Sequence, residues 1–327
     1  MINLGILGAG KIAVIMANTV NRMAAAGNNE VRLCAVAVRD RERAERFAAE
    51  FGIPKAFGSY EDMAADDEVD LVYIATPHSH HFEHSMLCLE HGKHVLCEKA
   101  FTVNAKQARE LIAFAESRGL LITEAIWTRY QPMRRIIDEV VASKEVGEPR
   151  MLTANLCYAI LENERIVKSA LAGGALLDVG VYTINFAEMV FGHADSYYAV
   201  CTKNEDGCDM AGSYTMLWKD GRTAVLCSGA EVISDRFGTV FCTEGFIQVE
   251  NINNPQSVRV FDKNYRLIRE IKCPAQLTGY EYEVLETAKA IEEGKTECQS
   301  MPHSETVRIM EIMDGMREQM GIKYPFE

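Results

Sequence analysis

The sequence lacks a long apolar run, and no stretch approaches the roughly 20 uncharged residues that span a bilayer. Its first apolar segment begins at residue 2, which leaves no room for a signal peptide. Internal repeats and low-complexity segments are also missing. With 327 residues, of which 48% are hydrophobic, we expect a globular cytoplasmic protein of about two domains, without a membrane segment.

The chain also lacks closely spaced cysteine pairs, and it carries no excess of positive charge. Its ten cysteines include no Cys-x-x-Cys pair and no spacing typical of metal ligands, so we expect free thiols in a reducing compartment. The 34 Lys and Arg residues are outnumbered by 47 Asp and Glu residues, which gives a net charge of −13. This charge disfavours nucleic acid and anionic membranes as partners.

A glycine-rich turn lies between the first predicted strand and the first predicted helix. Its residues are Gly8, Ala9, Gly10, Lys11, Ile12 and Ala13. The first glycine permits a tight turn, the second lets the backbone approach a pyrophosphate, and the small Ala13 lets the helix pack close to the strand. The phosphate would then rest on the helix N-terminus. Such turns also occur for packing alone, but the order of strand, turn and helix here favours dinucleotide binding.

Short apolar runs alternate with helical stretches as far as residue 122. The pattern predicts strands at 31–38, 71–75, 94–97 and 120–123, and helices at 41–51, 80–91 and 104–118. Asn104 with Gln107 is typical of a helix start, and Gly119 of a helix end. This βαβ series predicts an α/β domain over residues 1–122, a Rossmann domain with a doubly wound parallel sheet.

Between about residues 150 and 273 the pattern changes to consecutive short strands. Strands are predicted at 151–158, 197–202, 213–218, 223–228, 239–242, 246–249 and 257–261, and helices near 175–191 and after Tyr280. The sequence therefore predicts an α+β domain over residues 123–327, with a large, mostly antiparallel open sheet, for substrate binding and oligomerisation.

Two strands of that sheet, at 214–218 and 223–227, carry apolar side chains on both faces. One face would remain uncovered in a single chain, so a homodimer or homotetramer formed through this sheet is expected. Alternatively, the helices after Tyr280 cover that face and leave a monomer.

The end of the second strand decides between NADP and NAD. An acidic residue there normally accepts the adenine ribose hydroxyls of NAD, whereas an arginine can pair with the 2′-phosphate of NADP. The strand ends with Arg39 and Asp40. NADP is therefore favoured, and Asp40 keeps NAD as the alternative; a solvated turn pair is the remaining interpretation.

Two further segments carry side chains suited to proton transfer. Glu98 and Lys99 directly follow a predicted strand, at the sheet edge where ligands bind, although a lysine there is commonly just a solvated loop residue. Asp178 and Tyr182 are four residues apart on a predicted helix, which places them on one face. Alternatively, Asp178 complements the helix dipole and Tyr182 fills the core.

Four histidines between residues 78 and 84 raise the question of a metal site. His80 and His84 would share one helix face, but no adjacent residues complete a tetrahedral set. No metal is expected.

Taken together, these motifs resemble the glucose-fructose oxidoreductase, inositol dehydrogenase and rhizopine catabolism oxidoreductase family. The matching segments follow the family's order across nearly the whole chain. They are residues 8–13, Ala75-Thr76-Pro77 with His81, Glu98-Lys99, residues 124–129, residues 178–182, Met301-Pro302 and Tyr324-Pro325. Residues 127–129 and 178–182 are most similar to the branch of trans-1,2-dihydrobenzenediol dehydrogenase and NADP-dependent D-xylose dehydrogenase.

The resemblance implies roles for individual residues. Lys99 would be catalytic, Tyr182 would transfer a proton, and Asp178 would be its polar partner or bind substrate. Cofactor contacts would come from Gly8, Gly10, Lys11, Ile12, Ala13, Arg39, Thr76, Pro77, His78, His81, Glu98 and Lys99, and substrate contacts from Trp127, Arg165 and Asp178.

The chain departs from the family pattern at three places. Ala100 replaces the usual proline after the catalytic lysine, and His78 stands where asparagine is more common. The loop from Tyr158 to Arg165 matches only loosely, so the resemblance does not identify the substrate.

The function implied is that of an NAD(P)-dependent oxidoreductase. It would transfer a hydride between the nicotinamide and a carbinol or carbonyl carbon of a sugar, cyclic polyol or dihydrodiol. The alternative is a cofactor-binding sensor or regulatory protein of the same fold that catalyses no reaction. The presence of both Lys99 and Tyr182 favours the enzyme.

Overall fold

The computed structural model describes all residues from 1 to 327, and they form two compact units. The first unit comprises Met1–Tyr130 and Gln276–Met310, and the second comprises Gln131–Ala275 and Glu311–Glu327. This division differs from the predicted boundary at residue 122, because residues 123–130 and 276–310 join the first unit.

The first unit contains a six-stranded sheet in which every pair of neighbours is parallel. Its strands are β1 (Ile2–Leu7), β2 (Val31–Ala37), β3 (Lys55–Phe57), β4 (Leu71–Ile74), β5 (His94–Glu98) and β6 (Ile122–Ala125). Their order across the sheet is β3-β2-β1-β4-β5-β6, so the strand order reverses at β1. The predicted doubly wound parallel sheet is confirmed.

The second unit contains an eight-stranded, mostly antiparallel sheet, again as predicted. Its strands are β7 (Pro149–Cys157), β8 (Ser196–Lys203), β9 (Asp209–Leu217), β10 (Thr223–Gly229), β11 (Gly238–Cys242), β12 (Gly245–Glu250), β13 (Ser257–Asp262) and β14 (Leu267–Lys272). The order is β14-β13-β12-β11-β7-β10-β9-β8, and only β7 and β10 pair in parallel.

Ten α-helices accompany the sheets. They are α1 (Lys11–Ala25), α2 (Arg41–Phe51), α3 (Tyr60–Ala64), α4 (His81–Glu90), α5 (Ala105–Arg118), α6 (Pro132–Ser143), α7 (Glu164–Val167), α8 (Val181–Phe191), α9 (Glu281–Glu292) and α10 (His303–Met320). Residues 176–180 form a π-helical segment directly before α8.

Local capping explains where several helices begin and end. The Asn104 side chain accepts the Gln107 N–H at 3.0 Å, and Gly119 ends α5 with a φ of 65°. Both predicted signals are therefore confirmed. Asp40 caps α2 in the same way by accepting the Arg43 N–H at 3.2 Å.

The core of the first unit explains why residues 276–310 belong to it. Val284 and Ala288 of α9 are buried in the same apolar cluster as Leu4, Tyr73 and Leu96 of the sheet. No signal in the sequence of α9 itself reports this packing, because an amphipathic helix can cover any apolar face.

One stretch, residues 169–191, bears on the expectation that the chain has no membrane segment. By length and composition alone it is apolar enough to cross a membrane, with a mean hydropathy of 1.3, although the sequence analysis finds no such run. However, 89% of its most apolar 18-residue window is buried inside the protein. We interpret it as a core helix, because such helices pass the same test.

Candidate functional site

The glycine turn has the geometry that the sequence predicts. Gly8 has a φ of 110°, and a Cβ there would lie 2.7 Å from the Ala75 carbonyl oxygen, so only glycine fits. A Cβ on Gly10 would meet nothing within 4 Å. Ala13 is fully buried. The backbone at Gly10 is therefore open to an approaching ligand, while Gly8 and Ala13 hold the strand and helix together.

The start of α1 suits an anionic group. Gly10 is its N-cap residue, and no side chain caps the helix. The first amides of a helix carry a partial positive charge and lack intrahelical acceptors. A pyrophosphate fits this position, with Lys11 exposed and Ile12 half-buried beside it.

Arg43 supports the turn and was missed by the sequence analysis. Its guanidinium donates to the Ala9 carbonyl oxygen at 2.8 Å. Because Arg43 lies in the first turn of α2, this bond ties the second βα unit to the glycine turn of the first. The contact joins residues 34 apart, so no local pattern could have predicted it.

Arg39 and Asp40 have different surroundings at the end of β2. Arg39 is exposed and, with Tyr60, lines a cavity of about 790 Å³ that His80 and His84 also line. Asp40, in contrast, uses its carboxylate to cap α2. The basic residue therefore faces the cavity, and the acidic residue has a role in the helix.

His81 bridges the loops that follow β4 and β5. Its ring nitrogens lie 2.8 Å from the Thr76 carbonyl oxygen and 2.9 Å from that of Ala100. Burial lowers the pKa of His81 to about 4, so the ring is neutral and donates to one carbonyl at a time. Since its side chain is fully buried, we interpret His81 as positioning both loops.

The other predicted cofactor residues of this loop lie nearer the surface or beside His81. Thr76 and Pro77 are half-buried, and the Thr76 hydroxyl lies 3.0 Å from a ring nitrogen of His84. His78 is buried, with its ring edge-on to that of His81 at a centroid distance of 5.6 Å. No group of three or more His, Cys, Asp or Glu side chains is arranged to hold a metal ion.

Glu98 and Lys99 lie at the carboxyl end of β5. Glu98 is buried and accepts a hydrogen bond from the Tyr73 hydroxyl and another from the Lys99 backbone N–H at 3.1 Å. The Lys99 side chain is half-buried, and the peptide bond from Lys99 to Ala100 is cis. Two donors thus hold the Glu98 carboxylate, which fixes the backbone from which Lys99 extends.

Two further buried carboxyl groups surround Glu98. Glu124 of β6 accepts the Phe101 N–H at 3.0 Å, and burial, reinforced by Glu98, raises its pKa to about 7. Glu283 of α9 is fully buried, neither of its carboxyl oxygens has a hydrogen-bond partner, and its pKa lies well above the usual range. In the sequence, Glu124 directly follows the strand predicted at 120–123, and no local signal reports its burial, which the structure shows for the whole of β6.

Trp127 belongs to a short 3₁₀ turn after β6. Its ring stacks on that of Tyr280 with centroids 4.0 Å apart and planes 14° from parallel. In the same turn, Arg129 forms a buried salt bridge with Glu305 at 2.9 Å. The indole of Trp127 is 7% exposed, so it can offer only an edge to a ligand.

In the second unit the structure connects two of the predicted substrate residues. Arg165 of α7 donates to the Asp178 carboxylate at 2.8 Å, with Asp178 4% exposed. The continuous helix predicted near 175–191 instead begins with a π-helical segment that contains Asp178, before α8 carries Tyr182. Single π-helical turns are common at functional sites.

These features define a class of protein before any comparison is made. A parallel sheet whose first βα turn has an open glycine and an uncapped helix is a dinucleotide-binding Rossmann fold. In this protein the first unit carries Lys99 at the end of a strand, and the second unit carries Asp178 and Tyr182 on one helical segment. Such proteins are nicotinamide-dependent oxidoreductases.

Comparisons with known proteins agree with this class. Residues 2–125 match a family model described as an oxidoreductase family with an NAD-binding Rossmann fold, and residues 135–248 match the GFO/IDH/MocA C-terminal domain. The chain is 32% identical to the trans-1,2-dihydrobenzene-1,2-diol dehydrogenase of Xenopus tropicalis, over 98% of each chain. It is 34% identical to the human protein of that name, over 91% of each chain.

Solved structures give the same result. A 3-ketoreductase from Actinomadura kijaniata, in complex with NADP and TDP-benzene, is 25% identical, with a TM-score of 0.86 and 98% of each chain covered. An aldose-aldose oxidoreductase from Caulobacter crescentus shares the fold at 20% identity, with a TM-score of 0.86 and 97% of each chain covered. The chain belongs to the GFO/IDH/MocA family of NAD(P)-binding oxidoreductases, as its motifs predict.

Proposed function

We propose that this protein is an NADP-dependent dehydrogenase that acts on a secondary hydroxyl of a small dihydrodiol, cyclic polyol or sugar. The observation that carries the NADP preference is the division of roles at the end of β2. Arg39 faces the cavity, whereas the Asp40 carboxylate is engaged in capping α2. The Arg39 guanidinium can form paired hydrogen bonds with a 2′-phosphate. The Asp40 carboxylate is occupied at the start of α2, so it does not compete for the ribose. The Actinomadura ketoreductase is likewise known in complex with NADP.

Lys99 and Tyr182 are proposed to handle the proton of the substrate hydroxyl. The nicotinamide, when bound, exchanges the hydride with the carbinol carbon. As the C–H bond breaks, the hydroxyl proton must leave for the carbonyl to form, and Lys99, assisted by Tyr182, accepts it. In the reverse direction the same groups return the proton. The hydrogen bond from the Lys99 backbone N–H to the Glu98 carboxylate fixes the backbone from which the Lys99 side chain reaches the substrate hydroxyl.

Asp178 and Arg165 are proposed to bind the substrate. Arg165 donates to both oxygens of the Asp178 carboxylate, at 2.8 and 3.5 Å, and each oxygen can accept more than one hydrogen bond, so a substrate hydroxyl can also donate to it. The Arg165 side chain is 41% exposed. An uncharged substrate with vicinal hydroxyls suits this pair better than an acid or a phosphate. The names of the curated relatives, which are dihydrodiol dehydrogenases, agree with this class.

The experiment that tests the function is a turnover assay with NADP⁺ against a panel of dihydrodiols, cyclic polyols and aldoses. Lys99→Met and Tyr182→Phe should each lower kcat by a factor of about 10² to 10⁴, the range of general acid–base catalysis, with little change in NADPH affinity. Near-normal turnover in either variant would remove that residue from its role. If no panel member is oxidised while NADPH binds tightly, the sensor alternative is favoured.

We also propose that the protein forms a homodimer or homotetramer through the sheet of the second unit. On one face, the side chains of Ala199, Tyr214, Met216 and Leu226 are buried. The opposite face includes the side chains of Tyr198, Val200 and Val225, which are 63%, 69% and 48% exposed, and of Met151, which is 40% exposed.

Two of these exposed positions, Tyr198 and Val225, lie in one row across the sheet, with a threonine between them. Tyr198 and Val225 are both paired with Thr215, and Val225 is also paired with Thr153. Several large apolar side chains exposed on one sheet face are a surface that a second copy of the same sheet would cover. Light scattering tests this proposal, since a mass of 36.5 kDa is that of one chain.

A further inference from the structure

The turn before the π-helical segment is built from two glycines that neighbouring groups approach closely. Gly174 has a φ of 125°, and a Cβ there would lie 2.1 Å from the Oδ1 atom of Asp209. A Cβ on Gly173 would lie 2.5 Å from the Ile166 carbonyl oxygen. Both glycines are therefore required, and at Gly174 the neighbour that requires it is a carboxylate.

Asp209, at the start of β9, reaches this turn from 33 residues away in the chain. Its Oδ2 atom accepts the Leu176 N–H at 2.6 Å, and its side chain is 1% exposed. Leu176 begins the π-helical segment, which has no side-chain cap of its own. The cap of this helix is thus supplied by a strand of the sheet, and Asp178 and Tyr182 follow within two turns.

The segment after α10 holds the same turn from another direction. The Tyr324 hydroxyl donates to the Gly173 carbonyl oxygen at 3.4 Å, and Tyr324 is 3% exposed. The Arg317 guanidinium lies 4.7 Å from the centre of the Tyr324 ring and binds the Glu327 carboxylate at 2.8 and 2.9 Å. The turn therefore has two independent anchors, both from outside the helix that it starts.

We infer that Asp209 is a positioning residue for the reaction, which sets the placement of Asp178 and Tyr182 by anchoring the first turn of their helical segment. This inference rests on the proposed function of those two residues. A shift of the first turn would move both side chains together, and a misplacement of about 1 Å in a catalytic constellation can cost a factor of about 100 in rate.

The charge of Asp209 gives a second readout of this role. Burial raises the pKa of Asp209 to about 7, while the bonds to backbone N–H groups and the Arg317 charge oppose this rise. An ionised carboxylate is the stronger acceptor for the Leu176 N–H, so the anchor is firmer above pH 7 than below it. The other titratable groups that interact with Asp209 are Tyr214, Tyr324, Cys201 and Cys208.

The test compares Asp209→Ala, Asp209→Asn and the control Asp220→Ala. Asp220 also accepts a backbone N–H, that of Arg222 at 3.1 Å, but in a hairpin turn of the sheet. We expect hydrogen exchange of the amides at 176–182 to accelerate about 10-fold or more in Asp209→Ala and not in the control. We expect kcat per NADPH-binding site to fall about 10- to 100-fold, with NADPH affinity unchanged.

Asp209→Asn keeps an acceptor, so it should restore most of the activity. It should match the wild type at about pH 6 and fall about threefold below it at about pH 8, where only the wild type carries the charge. If Asp209→Ala does not fold, the test is the ratio of kcat in Asp209→Asn to kcat in the wild type. A ratio that is the same at both pH values overturns the inference. Unchanged exchange at 176–182, or unchanged kcat in Asp209→Ala while Tyr182→Phe is inactive, also overturns it. If Tyr182→Phe retains near-normal turnover, the proposed role of Tyr182 fails instead.

Discussion

Glu124→Gln should stabilise the first unit, and the gain should grow with pH. Burial raises the pKa of Glu124 from an ordinary value of 4.5 to about 7 in the folded state. A raised pKa means that the folded state binds the proton more tightly than the unfolded chain. The stability from this group is therefore fully present below pH 4.5 and is lost as the pH rises through 7.

The size of the effect follows from the two pKa values. Ionising Glu124 in place costs the folded state about 0.8 kcal/mol at pH 5 and about 3.3 kcal/mol at pH 8, relative to the unfolded chain. The amide introduced by Glu124→Gln keeps an acceptor for the Phe101 N–H and cannot ionise. We therefore expect the variant's advantage in unfolding free energy to grow by about 2.5 kcal/mol between these pH values.

The assay is urea unfolding at about pH 5 and about pH 8, followed by Trp127 fluorescence in a Trp218→Phe background. Trp127 lies in the first unit, so its signal reports the unit that contains Glu124. Glu110→Gln, which changes an exposed glutamate on α5, is the matched control and should show no pH-dependent gain. A gain of equal size at both pH values would refute the reasoning, because it would show that folding does not shift the pKa of the Glu124 carboxyl.

Three further predictions concern the cofactor site and assembly. Arg39→Ala should weaken NADPH binding, measured by calorimetry, by about 1.5–3 kcal/mol and leave NADH binding nearly unchanged. The control Arg46→Ala changes an exposed position on α2 and should alter the binding of neither cofactor. Equal losses for both cofactors would exclude a contact between Arg39 and the 2′-phosphate. Gly8→Ala should abolish tight NADPH binding, whereas Gly27→Ala, with a φ of 86° and free space for a Cβ, should cost only about 1–2 kcal/mol of stability. Val225→Asp should halve or quarter the mass measured by light scattering, and a wild-type mass of one chain would exclude assembly through this sheet.

Local sequence determined the first βα unit and its cofactor-binding geometry. Gly8 needs a positive φ and Gly10 an uncovered backbone, and both requirements follow from chain geometry between a strand and a helix. The start and end of α5 were equally predictable, because a cap involves residues three or four apart. Membership of the family was also evident from motifs alone, since their order along the chain carries the information.

Some elements had local signals that the sequence analysis did not use. Helix α6 begins with Pro132 at its first turn and buries Met133, Ile137 and Val140 at helical spacing. The π-helical start of the segment with Asp178 has no such signal, because its hydrogen-bond pattern depends on what packs around it.

Only the tertiary structure decided the contacts that join distant parts of the chain. The cap that Asp209 places on Leu176 spans 33 residues, and the bond from Arg43 to Ala9 spans 34. The burial of Glu283, with its raised pKa, depends on α9 packing beside the first sheet, which also set the domain boundary. Periodicity reports that a helix has an apolar face, but which surface covers that face depends on the free energy of the whole fold.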